Sequence, residues 1–179
     1  MIGVLRNAEA SRITMVQLAC ETDFVAKTDK FQEGLKGVLQ TLHAQEDLVI
    51  TGERCADQDY LSKLCGGTTM VNSLDPDVPS QNITEGLKFT GSKTQENVQL
   101  VKVFQRRWNP DEGEVLQAYI HGQTAKGSGL GKLGSLIHLS RADAKKTDEL
   151  DDMATQLAMH IAAMKPAYLK EEDIPEQVK

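Results

Sequence analysis

Four consecutive residues, Thr22-Asp23-Phe24-Val25, place a hydroxyl, a carboxylate, an aromatic ring and a branched aliphatic directly after Cys20-Glu21. The chemistry open to such a set is non-covalent: an acid that accepts hydrogen bonds or repels, beside a ring that can wedge into a neighbour. The run Ile13 to Cys20 ahead of it is β-rich, and no helical periodicity has begun by Phe24. Asp23 and Phe24 are therefore predicted at a strand-to-helix corner, where a rigid scaffold aims side chains outward. The same letters also fit a plainer role, in which Thr22 or Asp23 N-caps a helix and Phe24 plugs the core.

Other chemistry-bearing patterns are weaker. Gly129-Leu130-Gly131-Lys132-Leu133-Gly134 has the GxGxxG spacing, but that fingerprint cradles a pyrophosphate only between a strand and a helix N-terminus. Here the sequel Leu136-Ile137-His138-Leu139 reads as a strand, and Lys126 rather than glycine sits five residues before Gly131, so a P-loop fails as well. His43, His121, His138 and His160 lack ligand spacing to a cysteine or carboxylate, so no metal site is expected. His160 lies beside an apolar stripe and reads as a packed core histidine. No nucleophile elbow and no distinguishable acid pair is present, so covalent catalysis and a cofactor are not expected. Arg106-Arg107-Trp108 reads as a solvated strand end, and the sequon Asn82-Ile83-Thr84 as chance.

The elements that must position the corner follow from periodicity. Ile2 to Leu5 and Ile13 to Cys20 predict a hairpin around the polar turn Asn7 to Ser11. Thr28 to Gln32 offers a cap, with Asp29 and Gln32 at capping-box spacing, and Phe31, Leu35, Val38 and Leu42 then mark one helix face. Gly34 and Gly37 weaken that helix unless they permit close packing. A short helix is predicted over Asp57 to Leu64, a Pro-containing loop to about residue 80, and a helix from Thr84 to Phe89 stopped by Gly91-Ser92. Asn97 to Arg107 alternates as a strand, with Val98, Leu100 and Phe104 on one side and Val101 and Val103 on the other. Asn109 to Gly113 is read as a hairpin turn to the strand Val115 to His121, followed by a Gly-rich loop and a strand over Leu133 to Leu139. Thr147 is expected to cap a helix whose Met153, Leu157, Ile161 and Met164 form the inner face, ended by Lys165-Pro166. Glu171 to Glu176 reads as the opening of a further helix.

With 179 residues the chain can form one compact domain or two small subdomains. Aromatics are 4%, so the core must be aliphatic. A net charge of -6 lacks the clustered cations of a nucleic-acid footprint and points to a protein partner. No run approaches the roughly 18 to 20 apolar residues of a bilayer span, so no membrane role is expected. The start lacks a signal-peptide layout. Cys20, Cys55 and Cys65, an odd set without a CxxC pair, fit a reducing compartment, with Cys20 as a small buried hydrophobe. The first residues are already strand-like, as in a fragment or an unusual start.

The octet Cys20 to Lys27 resembles the signature of the elongation factor Ts family, exchange factors of elongation factor Tu. Glu96-Asn97-Val98 is similar to the family's Gly-Glu-Asn-Ile strand start, Tyr119-Ile120-His121-Gly122 to its Tyr-x-His strand, and Lys132 to Ile137 to its Gly-rich aliphatic strand. Ala158 to Pro166 resembles its Met-His-Ile-Ala-Ala helix end. The resemblance implies an α+β fold of two subdomains, residues 1–113 and 114–179, each an antiparallel sheet of about three strands with helices on one side. Thr94-Gln95 stand where the family has Ile-Gly. The family's N-terminal helical domain, and everything beyond the start of its central helical hairpin, have no counterpart here, as in a chain truncated at both ends. The longer segments 66–80 and 123–131 resemble organellar members, which implies a mitochondrial location, otherwise bacterial cytoplasm or plastid.

By that resemblance the chain promotes GDP release from elongation factor Tu without itself binding nucleotide or nucleic acid. Asp23 and Phe24 would intrude between helices flanking the partner's magnesium and phosphate site, with Thr22 and Val25 beside them. His121 would contact another surface of the same partner, and Met159 and His160 would be scaffold. A scaffold that binds elongation factor Tu without promoting exchange is the alternative, and a nucleotide-dependent enzyme built on residues 122–134 a third reading.

Overall fold

The computed structural model describes residues 1–141, 143, 148–168 and 170–178. Strands β1 (Ile2–Asn7) and β2 (Arg12–Ala19) form the expected hairpin, with Ile2 opposite Gln17 and Asn7 opposite Arg12. The chain continues through α1 (Asp23–Ala26), α2 (Asp29–Ala44), α3 (Gln58–Gly67) and α4 (Ile83–Thr94) to β3 (Gln99–Arg107). Then come β4 (Glu114–His121), the two-residue β5 (Leu130–Gly131), β6 (Leu133–Ser140) and α5 (Asp148–Met164). The fold is α+β with two antiparallel sheets. The strands divide four and two rather than three and three: β3-β2-β1-β5 in one sheet and β4-β6 in the other.

Three apolar clusters show how the layers stack. On one face of the four-stranded sheet Val16, Leu18, Leu100 and Val103 meet Phe31, Leu35, Val38 and Leu42 of α2, Leu61 of α3, and Ile83 and Leu87 of α4. On the opposite face Ile13, Val4 and Phe104 meet Leu116, Ala118 and Leu136 of the smaller sheet, with Trp108 among them. The outer side of the smaller sheet presents Val115, Ile137 and Leu139 to Leu150 and Ala154 of α5. Helices thus lie on the outside of two sheets packed face to face. Burying each large aliphatic or phenyl side chain of such a core contributes about 1.5–3 kcal/mol.

Several expectations are corrected by this arrangement. Asn109 to Gly113 is not a hairpin turn, because β3 pairs with β2 and β4 pairs with β6. A 3-10 turn over Pro110–Glu112, capped by Asn109 and closed by left-handed Gly113, carries the chain from one sheet to the other. Trp108 is not a solvated strand end: it is 6% exposed, sealing the space between the sheets at that crossing. Leu100 and Val103 face the same core despite their odd separation, since a bulge leaves Val101 unpaired between the Leu100 and Lys102 positions.

Helix limits also differ from the expectation. Thr28 rather than Asp29 caps α2, accepting from Phe31 N, and Gln32 turns back to donate to Lys27 O. Helix α4 runs through Gly91-Ser92 to Thr94, opened by a capping box between Asn82 and Glu85. The tolerance for Gly91 comes from packing, described below. Gly34 and Gly37 do permit close approach: a Cβ on Gly34 would lie 2.5 Å from Thr90 Oγ1 of α4.

The C-terminal region departs most. Thr147 lies outside the described residues. In α5 the inward positions are Leu150, Ala154, Ala158 and Ala162, whereas Met153 and Met164 are 55% and 66% exposed. Of the expected inner face, Leu157 and Ile161 are half-buried and the two methionines lie outside, because beyond Leu150 the helix lies close on its sheet and small side chains line the contact; Ser135 Oγ donates to the Ala158 carbonyl at 2.5 Å. His160, read as a core histidine, is exposed for the same reason. Glu171–Asp173 forms a 3-10 turn rather than the opening of an α-helix, and Pro175 to Val178 a further turn.

Candidate functional site

The chain leaves β2 at Ala19 and turns at once into α1, four residues none of which is buried. Thr22 is its N-cap, extended in backbone (φ -125°, ψ 151°), with Oγ1 accepting from Val25 N at 3.3 Å. Val25 and Ala26 rest on the principal core. Asp23 and Phe24 are thereby turned outward, and the Phe24 ring is 82% exposed. Of the two roles open to this stretch, capping falls to Thr22 and the core plug is excluded. Phe31, one turn into α2, fills the interior instead.

The corner is held from a distant part of the chain. Glu96, between α4 and β3, accepts from Glu21 N (2.8 Å) and Thr22 N (2.9 Å) through one carboxylate oxygen and from Thr22 Oγ1 (2.5 Å) through the other. Glu21 answers by accepting from Asn97 N at 3.3 Å. The Thr22 hydroxyl above all holds the Glu96 carboxyl below its ordinary value; desolvation opposes it, and the Thr22 and Glu21 amides add to the lowering. Backbone donors at a strand end need a partner, and these two find theirs more than seventy residues on. Sequence reading noted Glu96 as part of a strand start and missed this role. The available signal was the pair of amides that the abrupt end of β2 leaves without a ladder partner.

Glu96 is itself tightly placed. Gln95 closes α4 in the left-handed region at φ +59°, a conformation that usually belongs to glycine. It reverses the chain so that Glu96 points back at the corner. Gly91 lies beneath: a Cβ there would come within 2.9 Å of the Glu96 carbonyl oxygen, which explains a glycine inside α4. A cavity of about 720 Å³ opens beside this junction, between α3, α4 and the start of β3, with Leu61, Leu87, Lys88 and Glu96 among its walls.

The structure brings Thr22, Asp23, Phe24 and Val25 together on one turn and leaves His121 elsewhere. His121 ends β4 in the smaller sheet, exposed, its Nδ1 3.4 Å from Tyr119 Oη. Among the described residues no hydrogen bond or ion pair connects it to the corner.

The remaining chemistry is structural. Gly129 and Gly131 serve close backbone approach: a Cβ on Gly129 would meet Val4 O at 2.6 Å and one on Gly131 would meet His121 O at 2.7 Å. Strand β6 follows them, not a helix N-terminus. Burial raises the thiols of Cys20 and Cys55 and pushes Cys65 up to about 11, which suppresses the reactive thiolate. Cys20 is half-buried rather than enclosed, donating to Thr22 O at 3.3 Å. Among the described residues no group of histidine, cysteine and carboxylate side chains is placed to hold a metal ion, and no helix is long and apolar enough to cross a membrane.

Comparison with known proteins gives a consistent result. The sequence pattern of the family described as Elongation factor TS matches residues 21–179. The chain is 30% identical to Elongation factor Ts of Nautilia profundicola, over 92% of this chain and 44% of that protein. It is 28% identical to that of Aquifex aeolicus, over 99% and 53%, and 32% identical to that of Zymomonas mobilis, over 97% and 47%. The chain therefore spans about half the length of the curated relatives it matches.

Proposed function

Because this chain belongs to the elongation factor Ts family, we propose that it acts in translation elongation, as a guanine nucleotide exchange factor that promotes GDP release from elongation factor Tu. The observation that carries the reading is Phe24: an aromatic ring 82% exposed at the tip of a braced corner, beside the Asp23 carboxylate. A ring held out in water gains by entering an apolar crevice, and the fixed corner avoids the ordering cost a flexible loop would bring.

The partner holds its nucleotide through phosphate loops and a magnesium ion. Magnesium demands near-octahedral coordination at short distance, so a small displacement of the elements around that shell costs much affinity. Phe24 is the wedge between those elements, Asp23 accepts or repels polar groups beside it, and Thr22 and Val25 hold the turn. Thermodynamically the two ligands of the partner are negatively coupled: whatever factor this chain takes from nucleotide affinity, nucleotide takes from its own. GTP rebinding then displaces the chain. No covalent step and no nucleotide bound to this chain is needed.

His121 is proposed as a second contact with the same partner, supported by its exposure at the end of β4. The division into units 1–113 and 114–179 is likewise proposed; the sheet change at Gly113 supports it. A mitochondrial location rests on the lengths of segments 66–80 and 123–131 alone, and the relatives named above are bacterial.

The test is release of a fluorescent GDP analogue from elongation factor Tu. Wild-type chain accelerates it, and Asp23→Ala with Phe24→Ala removes most of the acceleration while the thermal unfolding midpoint stays put. Tight binding without acceleration by the wild-type chain would favour a scaffold role.

A further inference from the structure

We infer that Glu96 is the positioning residue of the exchange corner: its carboxylate, more than the corner's own packing, fixes where the Phe24 ring points. The inference rests on the reading of Phe24 given above. Helix α1 is four residues long and buries none of them, and a single turn has no helical stability of its own. Its orientation must be imposed from outside.

Packing supplies only part of that constraint, since Val25 and Ala26 touch the core with one side of the turn. The rest passes through Thr22. The hydroxyl donates to Glu96 Oε1, and that commitment leaves its lone pairs for Val25 N. Cap and clamp are therefore one chain of hydrogen bonds whose members polarise one another. Two backbone N–H groups reach the other carboxylate oxygen, so three donors converge on a single charged acceptor, the stronger kind of hydrogen bond. The clamp is closed in the reverse direction by Glu21 accepting from Asn97 N. Glu96 cannot drift, because Gly91 packs under its carbonyl and left-handed Gln95 sets its direction. Position, not presence, of the ring decides whether it enters a crevice, and a misplacement of about 1 Å at such a site is costly.

Four proteins test this: Glu96→Ala, Glu96→Gln, Phe24→Ala, and the Glu96→Ala/Phe24→Ala double variant. Amide hydrogen exchange is read at Glu21 and Thr22, and stimulated GDP release with elongation factor Tu. Glu96→Ala is expected to speed exchange at those two amides roughly tenfold, the scale of a lost charge-assisted bond, with α2 amides unchanged. Release falls toward the Phe24→Ala level, and Glu96→Gln, which keeps acceptor oxygen, recovers part of it. The double variant is no slower than Phe24→Ala, because Glu96 acts through that ring.

Unchanged Glu21 and Thr22 exchange in Glu96→Ala overturns the inference, as does a double variant slowed by the full product of the single effects. If Phe24→Ala releases GDP at the wild-type rate, the function reading fails instead, while amide protection still decides the clamp. Should Glu96→Ala not fold, Glu96→Gln, which removes the charge that both amides meet, is judged by the same two readouts, with a smaller change expected in the same direction.

Discussion

Helices α2 and α5 both roof a sheet, yet they do so with opposite choices of side chain. Helix α2 turns Phe31, Leu35, Val38 and Leu42 inward and fills the space over its sheet with those large groups. Helix α5 turns a single leucine, Leu150, and then Ala154, Ala158 and Ala162 inward, sits close enough for Ser135 to donate to its backbone, and leaves Met153 and Met164 in water. The lesson is that apolar size reports which side is buried only where there is depth to fill. Where a helix lies flat on a sheet, smallness is the mark of the inner face.

The comparison can be broken most sharply at its deepest point. Phe31→Ala empties a fully buried site and should cost about 3–5 kcal/mol in chemical denaturation; a loss below 1 kcal/mol would mean that α2 does not depend on its large residues. Ala158→Leu asks the converse question of α5. Overpacking there should cost about 1–3 kcal/mol, although leucine is the more apolar residue, and a stabilised variant would refute the close fit.

A smaller effect separates the helix ends by pH. In the last turn of α2, His43 Nδ1 lies 2.8 Å from Thr14 Oγ1, and burial, then the nearby Arg12 charge, lowers its pKa below 6.5. The fold thus favours the neutral ring. Its contribution is complete above pH 6.5 and is lost as pH falls through the lower folded value. The unfolding midpoint of the wild type should therefore drop more between pH 7 and 5 than that of His43→Gln, and parallel curves would remove the histidine from the account. The smallest change is expected for Met153→Gln on the outer face of α5, within about 0.5 kcal/mol, measured in the same denaturation series.

These contrasts explain what could be read from the letters. The β1-β2 hairpin, α2 and the corner were legible because their signals are local: alternation, a four-three-four spacing, and a threonine ahead of an acid. The crossing at Asn109 to Gly113 was misread because a turn's chemistry is the same whether the next strand pairs beside it or joins another sheet; the burial of Trp108 carries that distinction, and burial is not written in a dipeptide. Leu100 and Val103 defeated alternation through one bulge. Glu96 was invisible for a different reason. Two of its three donors are the amides of Glu21 and Thr22, and a backbone group leaves no letter for a distant side chain to match; the third, the Thr22 hydroxyl, reads equally well as a helix cap.

Strand β5 consists of two residues, yet it carries the chain back from the smaller sheet to lie along β1, with Ile2 opposite Gly131, Gly3 opposite Leu130, and Val4 N donating to Gly129 O. Without it the outer row of β1 amides and carbonyls would stand open as a template for the same strand of another molecule. Three backbone contacts thus cover the first half of that edge, from Ile2 to Val4, and the glycines whose spacing matches GxGxxG are what let the cover lie flat.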